Sequence, residues 1–181
     1  MENRKALDQF LARVQNRAFQ MARMATGSEQ DALDLVQEAM MSLVKSYADR
    51  SEAEWPRLFY KVLQNRIYDH YRRSAVKQRI FGWLPWHKEE DATDEVDPIQ
   101  HAADEKAVTP ERALQLGQAT YNLVEAVSAL PIRQQQTFLL RLWEGMSVAE
   151  TAEAMGISEG SVKTHYSRAL ASLRGELKQV W

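Results

Sequence analysis

The sequence predicts an all-α protein of two small helical domains, joined by a flexible acidic linker, with a helix-turn-helix in the second domain. Three observations predict this fold class. Apolar residues recur at intervals of three and four, the period of an amphipathic helix, and no strand-like alternation is present. Residues 81–112 interrupt that period with nine acidic and three basic residues. We therefore expect domains at 1–80 and 113–181, with the linker at 81–112.

Composition and charge limit the class of protein. The chain has no cysteine, which excludes disulfide and zinc-thiolate frameworks, and no signal-peptide core or bilayer-spanning run is present. We expect a cytoplasmic protein. Residues 1–80 hold 14 basic and 10 acidic residues, and 113–181 hold six of each. Because phosphate affinity follows local charge, this modest surplus predicts weak DNA binding by the isolated chain.

Two amphipathic helices are predicted before residue 48. The first ends near Thr26-Gly27, and the second begins at Ser28, whose hydroxyl can cap the amide of Asp31. The expected core residues of the second helix are Leu33, Val36, Met40, Leu43, Val44 and Tyr47. Its other side carries Asp34, Leu35, Glu38 and Met41. This acidic face with apolar groups suits docking onto a basic partner helix, although a solvated face beside a second packing surface fits equally well.

A third helix, with Pro56 in its first turn, follows the polar loop 48–54. Its expected core residues are Leu58, Phe59, Val62, Leu63 and Ile67. The remaining side interleaves rings, cations and one amide: Tyr60, Lys61, Asn65, Arg66, Tyr68, Asp69, Arg72 and Arg73. Rings stack on unpaired bases at about 1–3 kcal/mol each and cations follow the backbone, so this side favours single-stranded DNA. A helix with core tyrosines and solvated arginines has a similar pattern.

Particular residues predict where the linker begins and where the next two helices begin. Trp83 and Trp86 are expected to anchor the start of the linker on the first domain. Thr109-Pro110-Glu111 predicts the next helix start, and Pro131 opens a further helix that runs to Glu144. The apolar stripe expected between them is Leu116, Leu123, Val127 and Leu130.

The helix-turn-helix is predicted at residues 147–168. Ser147 and Glu150 have capping-box spacing, Gly156 can supply the left-handed residue that ends the short helix, and Ser158 can cap the next helix. Two caps separated by a glycine turn fix the angle between the helices, as a DNA-reading motif requires.

The second helix of the motif has two distinct sides. Its period predicts that Val162, Tyr166, Ala169 and Leu173 are buried. At Gly160 the missing side chain lets a phosphate approach the positive end of the helix dipole. The candidate DNA contacts are Gly160, Ser161, Lys163, Thr164, His165 and Arg168. The polar side of an ordinary bundle helix is the alternative interpretation.

No catalytic, metal or cofactor site is predicted. The histidines at 70, 87, 101 and 165 lack ligand spacing, and the chain has no Gly-rich phosphate loop and no nucleophile-base pairing. We expect a protein that is not an enzyme.

The layout resembles a bacterial RNA polymerase sigma factor of the extracytoplasmic-function (ECF) group of the sigma-70 family. Residues 31–38 are similar to the family's polymerase-binding helix, and residues 58–65 with Asp69, Arg72 and Arg73 are similar to its −10 helix. Residues 130–173 are similar to its −35 reader. The resemblance covers nearly the whole chain.

The resemblance implies roles for these residues. The β′ clamp helices of core RNA polymerase would be held by Asp34, Leu35, Gln37, Glu38 and Met41. The chain would also contact the β subunit of the polymerase. The 48–54 loop with Asn65 would trap a base flipped from the −10 element and so open the duplex. The polar side of the helix-turn-helix would read or grip the −35 element. The resemblance also admits an anti-sigma factor as partner.

The length of the linker fits this scheme. Its 32 residues reach about 100 Å when extended. Two promoter elements about two helical turns apart need roughly 70 Å. The rival hypothesis is a LuxR-like helix-turn-helix regulator that binds DNA without being a polymerase subunit, because residues 156–165 resemble that reading helix too.

Overall fold

In a computed structural model, residues 2–81 and 118–178 are described, and within these ranges the chain is helical, with no strand. The predicted all-α class is confirmed. The linker beyond residue 81, Trp83, Trp86 and the helix start at Thr109 lie outside the described residues. The helices are α1 (Glu2–Thr26), α2 (Glu29–Tyr47), α3 (Trp55–Phe81), α4 (Gln118–Ser128), α5 (Ile132–Leu142), α6 (Val148–Met155) and α7 (Glu159–Lys178).

The first half of the chain, α1–α3, packs around aromatic rings. Trp55 is fully buried, and its indole nitrogen donates to the carbonyl of Tyr47 at 3.1 Å, which joins the start of α3 to the end of α2. The Phe10 ring lies 6.0 Å from that of Trp55 and 6.1 Å from that of Phe59. The Ser28 hydroxyl accepts from the Asp31 amide at 3.2 Å, so the cap that opens α2 forms as the sequence predicts.

The rotation of α2 about its axis differs from the predicted one. Leu33 and Val44, expected in the core, are 54% and 45% exposed, whereas Ala32, Leu35 and Ala39 are buried. The buried stripe is Ala32, Leu35, Val36, Ala39 and Leu43. It faces α1, which also presents buried alanines. Small side chains on both helices allow a close approach, and the larger Leu33 and Val44 are turned outward.

In the second half of the chain, α4–α7, apolar residues of neighbouring helices pack against one another. In α7 the predicted stripe is confirmed for Val162, Ala169 and Leu173, which are buried, and Tyr166 is half-buried against Phe138. In α4 the prediction fails for Leu123, which is 38% exposed, because packing is tight only toward the C-terminal end of that helix. Leu116 lies outside the described residues.

The two halves pack directly against each other. Helix α3 contacts α6, and α1 contacts α4 and α5. The buried apolar residues of both halves form one continuous cluster. We call the contact surface between α1–α3 and α4–α7 the domain junction. None of the described helices combines the length and the apolarity needed to cross a membrane.

Candidate nucleic-acid interface

The helix-turn-helix at α6 and α7 is held by local hydrogen bonds at its start. The Ser147 hydroxyl accepts from the Glu150 amide at 3.1 Å, and the Ser147 amide donates to Glu150 Oε2 at 2.7 Å, which completes the capping box. The bond from the Ser147 amide to the carboxylate is the main cause that holds the pKa of the Glu150 carboxyl below its usual range, and the Ser147 hydroxyl lowers that pKa further. The start of α6 is therefore fixed by bonds between neighbours in sequence.

The turn between α6 and α7 depends on one left-handed residue. Gly156 has φ 65° and ψ 35°, a conformation that disfavours residues with a Cβ atom, and its amide donates back to the carbonyls that end α6. The Ser158 hydroxyl then accepts from the Ser161 amide at 3.1 Å. The predicted helix, turn and helix are all present.

The polar face of α7 consists of Gly160, Ser161, Lys163, Thr164, His165 and Arg168. The side chains of Lys163, Thr164 and Arg168 are exposed, and the Thr164 hydroxyl donates to the Gly160 carbonyl at 3.1 Å. A Cβ atom at Gly160 would meet only Ser158 Oγ, at 3.8 Å, so the fold itself has room for a side chain there. The small residue leaves the helix N-terminus open to an anion.

His165 differs from its neighbours on this face. It is half-buried, and its Nδ1 is buried with no hydrogen-bond partner among the residues that the structure describes. Burial lowers the pKa of His165, and the nearby cations Arg133 and Arg168 lower it further. The imidazole is therefore neutral at pH 7, and it can exchange hydrogen bonds with a base edge but adds no charge for gripping phosphate.

The polar face of α3 follows the helical period. Lys61, Asn65, Asp69, Arg72 and Arg73 are exposed. They recur at intervals of about four, so they lie along one side of the helix. Most of the predicted set is thus brought together on one side of α3.

Two members of the predicted α3 set, Arg66 and Tyr68, contact other protein groups. Arg66 donates to Glu38 of α2 at 3.1 Å. The half-buried Tyr68 ring stacks with Tyr71, with centroids 6.3 Å apart, and the guanidinium of Arg133 lies over it at 3.9 Å from the centroid.

The prediction that Tyr60 belongs to the DNA-binding side of α3 is wrong. It is only 1% exposed, lies edge-on to Phe59 at 5.2 Å, and its hydroxyl is close to the Glu144 carboxylate of the second half. Burial, reinforced by that carboxylate, raises the pKa of Tyr60. The helical phase places Tyr60 with Gln64 at the domain junction, away from the polar face that carries Lys61 and Asn65.

The outer face of α2 consists of the exposed residues Asp34, Gln37, Glu38 and Met41, together with Leu33. The prediction that Leu35 belongs to this face is wrong, because Leu35 is 8% exposed and packs into the core. Leu33, 54% exposed, supplies the apolar group in its place. The repeat of alanine at 32 and 39, seven residues apart, is the sequence signal that could have set the correct rotation.

Beside this face runs a groove between α1 and α2 with a volume of about 990 Å³. It combines apolar walls with amides and carboxylates, and is lined by Gln15, Asn16, Phe19, Glu29, Gln30, Leu33, Asp34, Val36, Gln37 and Met40. The α1 side of this groove was not predicted from the sequence. An amphipathic helix with basic groups would be complementary to it.

Each half of the chain matches a family of known proteins by itself. Residues 8–76 match the family model for sigma-70 region 2, and residues 121–173 match the model for sigma-70 region 4. The RNA polymerase sigma-E factor of Streptomyces antibioticus is 34% identical over 149 residues, which are 82% of this chain and 71% of that protein. The sigma-E factor of Streptomyces coelicolor is 31% identical over 173 residues, covering 94% and 85%.

Solved structures share the fold. The sigma factor RpoE from Bartonella quintana, in a co-crystal with the anti-sigma factor NepR, has a TM-score of 0.62 at 22% identity, covering 94% of this chain and 96% of that one. CnrH, in complex with the cytosolic domain of CnrY, has a TM-score of 0.62 at 19% identity, covering 97% and 90%.

Proposed function

Since the chain belongs to the ECF group of the sigma-70 family of RNA polymerase sigma factors, we propose that each of its exposed faces carries out a different step of promoter recognition. As a sigma factor it binds bacterial core RNA polymerase and directs it to promoters. The LuxR-like regulator is not favoured, because residues 8–76 match region 2 of the sigma-70 family.

The outer face of α2 is the surface proposed to dock on the β′ clamp helices of the polymerase. Asp34 and Glu38 offer negative charge, and Met41 and Leu33 offer exposed apolar area, 48% and 54% exposed. This combination supports binding to a helix with basic and apolar side chains. The adjacent groove between α1 and α2 extends the apolar area of the same surface. Contacts with the β subunit belong to the same proposal.

The polar face of α3 is proposed to bind the −10 element as a single strand. Its exposed cations, Lys61, Arg72 and Arg73, can follow the backbone, and the exposed amide of Asn65 can recognise a base. Asn65 acts with the loop 48–54, in which Ser51 and Glu54 are joined by a 2.8 Å hydrogen bond. That bond holds the pKa of the Glu54 carboxyl below its ordinary value, and it gives the loop a fixed shape for receiving a flipped base.

The polar face of α7 is proposed to contact the −35 element in the major groove. Lys163 and Arg168 supply charge for phosphates, Ser161 and Thr164 supply hydroxyls, and Gly160 leaves the helix N-terminus accessible. Because its pKa is lowered, His165 is expected to contribute a hydrogen bond to a base edge and no charge.

The observation that carries this assignment is the coincidence of the two family matches with the two helical halves, α1–α3 and α4–α7. The test is in vitro transcription with purified core polymerase on a genomic library, with start sites mapped. We expect discrete starts preceded by two conserved elements. A chain that binds palindromic DNA unaided and leaves core polymerase unchanged would overturn the assignment.

Three further properties follow from the same premise. The chain supplies recognition and no catalytic step, because RNA synthesis belongs to the polymerase. It acts in the cytoplasm with that enzyme. The two solved structures described above each contain a partner protein, the anti-sigma factor NepR in one and the cytosolic domain of CnrY in the other. An anti-sigma factor is therefore the class of regulator to seek for this chain.

A further inference from the structure

Helix α2 ends without a glycine. Gly27 after α1 and Gly156 after α6 have φ of 69° and 65°, the left-handed conformation with which a glycine commonly ends a helix. Ala48, which follows α2, has φ −58° and ψ −30°, a conformation that is still helical. The path of the loop 48–54 therefore depends on groups that bind the last carbonyls of α2 from outside the helix.

Two of these carbonyls accept such bonds. The Tyr47 carbonyl accepts from the Arg50 amide and from the Trp55 indole nitrogen, both at 3.1 Å, and these bonds close the base of the loop. The Ala48 carbonyl accepts from the side-chain amide of Asn3 at 2.7 Å, a contact between residues 45 positions apart in the chain. The first turn of α1 thus holds the first residue of the loop.

A second residue of α1 contacts the loop near its tip. The Arg13 guanidinium lies 3.7 Å from the Glu52 carboxylate, and the two side chains are 67% and 61% exposed, so water and salt weaken this pair. Between Asn3 and Arg13, the buried Phe10 packs against the ring of Trp55 at 6.0 Å. One side of α1 therefore follows the loop from its first residue to the start of α3.

The bonds within the loop fix its shape but not its position. The Ser51 amide and hydroxyl both donate to Glu54 Oε2, at 3.2 Å and 2.8 Å, and the Glu54 amide donates to the Ser51 carbonyl at 3.0 Å. These bonds join residues of the same turn, so the turn can keep its shape while it moves as a unit. Contacts with α1 are what tie it to the rest of the first half.

The position of the loop matters for the base that it is proposed to receive. When a binding site is in place for only a fraction of the time, its apparent affinity falls by that fraction. A single hydrogen bond changes such an equilibrium by about three- to tenfold. Loss of the Asn3 bond is therefore large enough to measure and small enough to leave the fold intact.

We infer that Asn3 and Arg13 are positioning residues, which hold the loop 48–54 in place for the base flipped from the −10 element. They act through the loop and do not touch that base. The inference rests on the proposed function of the loop, and it gives α1 a part in promoter opening.

Asn3→Ala is the first test, with Gln9→Ala as the matched control, because Gln9 is an exposed amide on the same helix. Both changes introduce the residue with the highest helix propensity, so neither weakens α1 itself. The probe is 2-aminopurine, a base analogue whose fluorescence rises when it leaves the base stack. It is placed in turn at each position of the −10 element of a promoter identified by mapped transcription starts.

Holoenzyme with the wild-type chain should raise the fluorescence at one position of the element. Asn3→Ala should lower the equilibrium constant for flipping at that position by about three- to tenfold, and Gln9→Ala should match wild type. If Asn3→Ala gives the same signal as Gln9→Ala, the inference is wrong. If the wild-type holoenzyme initiates at this promoter but no position brightens, the proposed trapping of a base fails, and the inference fails with it.

Base discrimination separates positioning from a general loss of structure. Holoenzyme is titrated with two single-stranded −10 oligonucleotides, which carry the preferred or a non-preferred base at the bright position. Asn3→Ala should lower the ratio of the two affinities by about three- to tenfold and leave the affinity for core polymerase unchanged. An equal loss for both strands would show a merely structural role and overturn the inference.

Exchanging the charges of Arg13 and Glu52 is the second test. Arg13→Glu and Glu52→Arg each place like charges side by side, and each should lower the ratio by about twofold at low salt. The double variant restores an opposite pair in exchanged positions and should recover most of the loss. A double variant no better than the product of the two single losses would remove Arg13 from the inference.

Discussion

Arg66 of α3 donates to Glu38 of α2 at 3.1 Å, and the pair joins the polar face of α3 to the outer face of α2. Both side chains are about half exposed, so the pair contributes little stability of its own. Its position matters more, because it lies where the surface proposed for polymerase docking meets the surface proposed for DNA contact. If polymerase engages Glu38, we expect the surroundings of Arg66 to change as well.

Asp34→Lys tests docking without disturbing that pair. Reversing a charge on the outer face of α2 should weaken binding to core polymerase about tenfold, and the loss should shrink as salt is raised. Binding is measured by competition with a labelled sigma factor at two salt concentrations. Glu125→Lys, an exposed charge reversal on α4, should bind like wild type. Unchanged affinity of Asp34→Lys for core polymerase would show that the polymerase docks on another surface of the chain.

Asn65→Ala tests base recognition on α3. The exposed amide makes no hydrogen bond to the other residues of 2–81 and 118–178, so we expect normal binding to core polymerase with impaired opening of promoter DNA. Opening is followed by permanganate reactivity of unpaired thymines in the −10 region. Lys45→Ala, an exposed change at the end of α2, should leave opening intact. Normal reactivity with Asn65→Ala would remove this residue from the site.

Arg168→Ala tests the phosphate contact of α7. Loss of one phosphate contact should weaken binding of the −35 duplex uniformly across sequences and reduce the slope of log affinity against log salt by about 1. The slope is measured by fluorescence anisotropy over a salt series. Lys178→Ala, at the exposed end of the same helix, is the control. A slope equal to that of wild type would exclude a phosphate contact.

His165→Gln tests the environment of the half-buried imidazole. Its pKa in the folded chain lies below the ordinary value of 6.5, because burial and two arginines disfavour the cation. The unfolded chain therefore takes up a proton first as pH falls below about 6.5, and stability declines until the folded pKa is reached. Thermal unfolding between pH 7.5 and pH 5 should show a smaller decline for His165→Gln than for wild type. Parallel profiles would contradict this assignment.

Ser147→Ala tests the capping box at the start of α6. Removing the hydroxyl leaves the Glu150 amide without its side-chain acceptor, and the expected loss of stability is about 1 kcal/mol. Denaturant unfolding followed by circular dichroism measures it. Ser172→Ala, an exposed serine within α7, should have little effect. A loss no greater than that of Ser172→Ala would show that the cap contributes nothing.

The parts of the fold that the sequence predicted correctly depend on neighbours in the chain. The Ser28 cap, the Ser147 capping box and the left-handed Gly156 each involve residues within four positions of each other. Their geometry follows from local hydrogen bonds and steric limits, which the order of residues displays directly.

The predictions that failed depend on packing between distant segments. Periodicity predicts Leu35 on the outer face and Leu33 in the core, because it counts large apolar residues and gives alanine little weight. Close packing of Ala32 and Ala39 against α1 reverses that choice. The sequence pattern predicts Tyr60 on the DNA face because its ring fits that role, yet contact with the second half buries it. The burial of Gln135 and Gln136 is not visible in the sequence, because it depends on partners in α1 and α3 as well as on nearby residues.

Three buried glutamines, Gln64, Gln135 and Gln136, make three hydrogen bonds across the domain junction. Two of these bonds end on backbone carbonyls, those of Met21 and Met24. Every amino acid provides such a carbonyl, so these two contacts do not depend on which side chains a first half carries at those positions. Only the bond between Gln64 and Gln136 requires a matched pair of side chains. A chimera that combines α4–α7 of this chain with the first half of a relative can therefore keep two of the three glutamine hydrogen bonds whatever side chains replace Met21 and Met24, and the third depends on the residue at the position of Gln64.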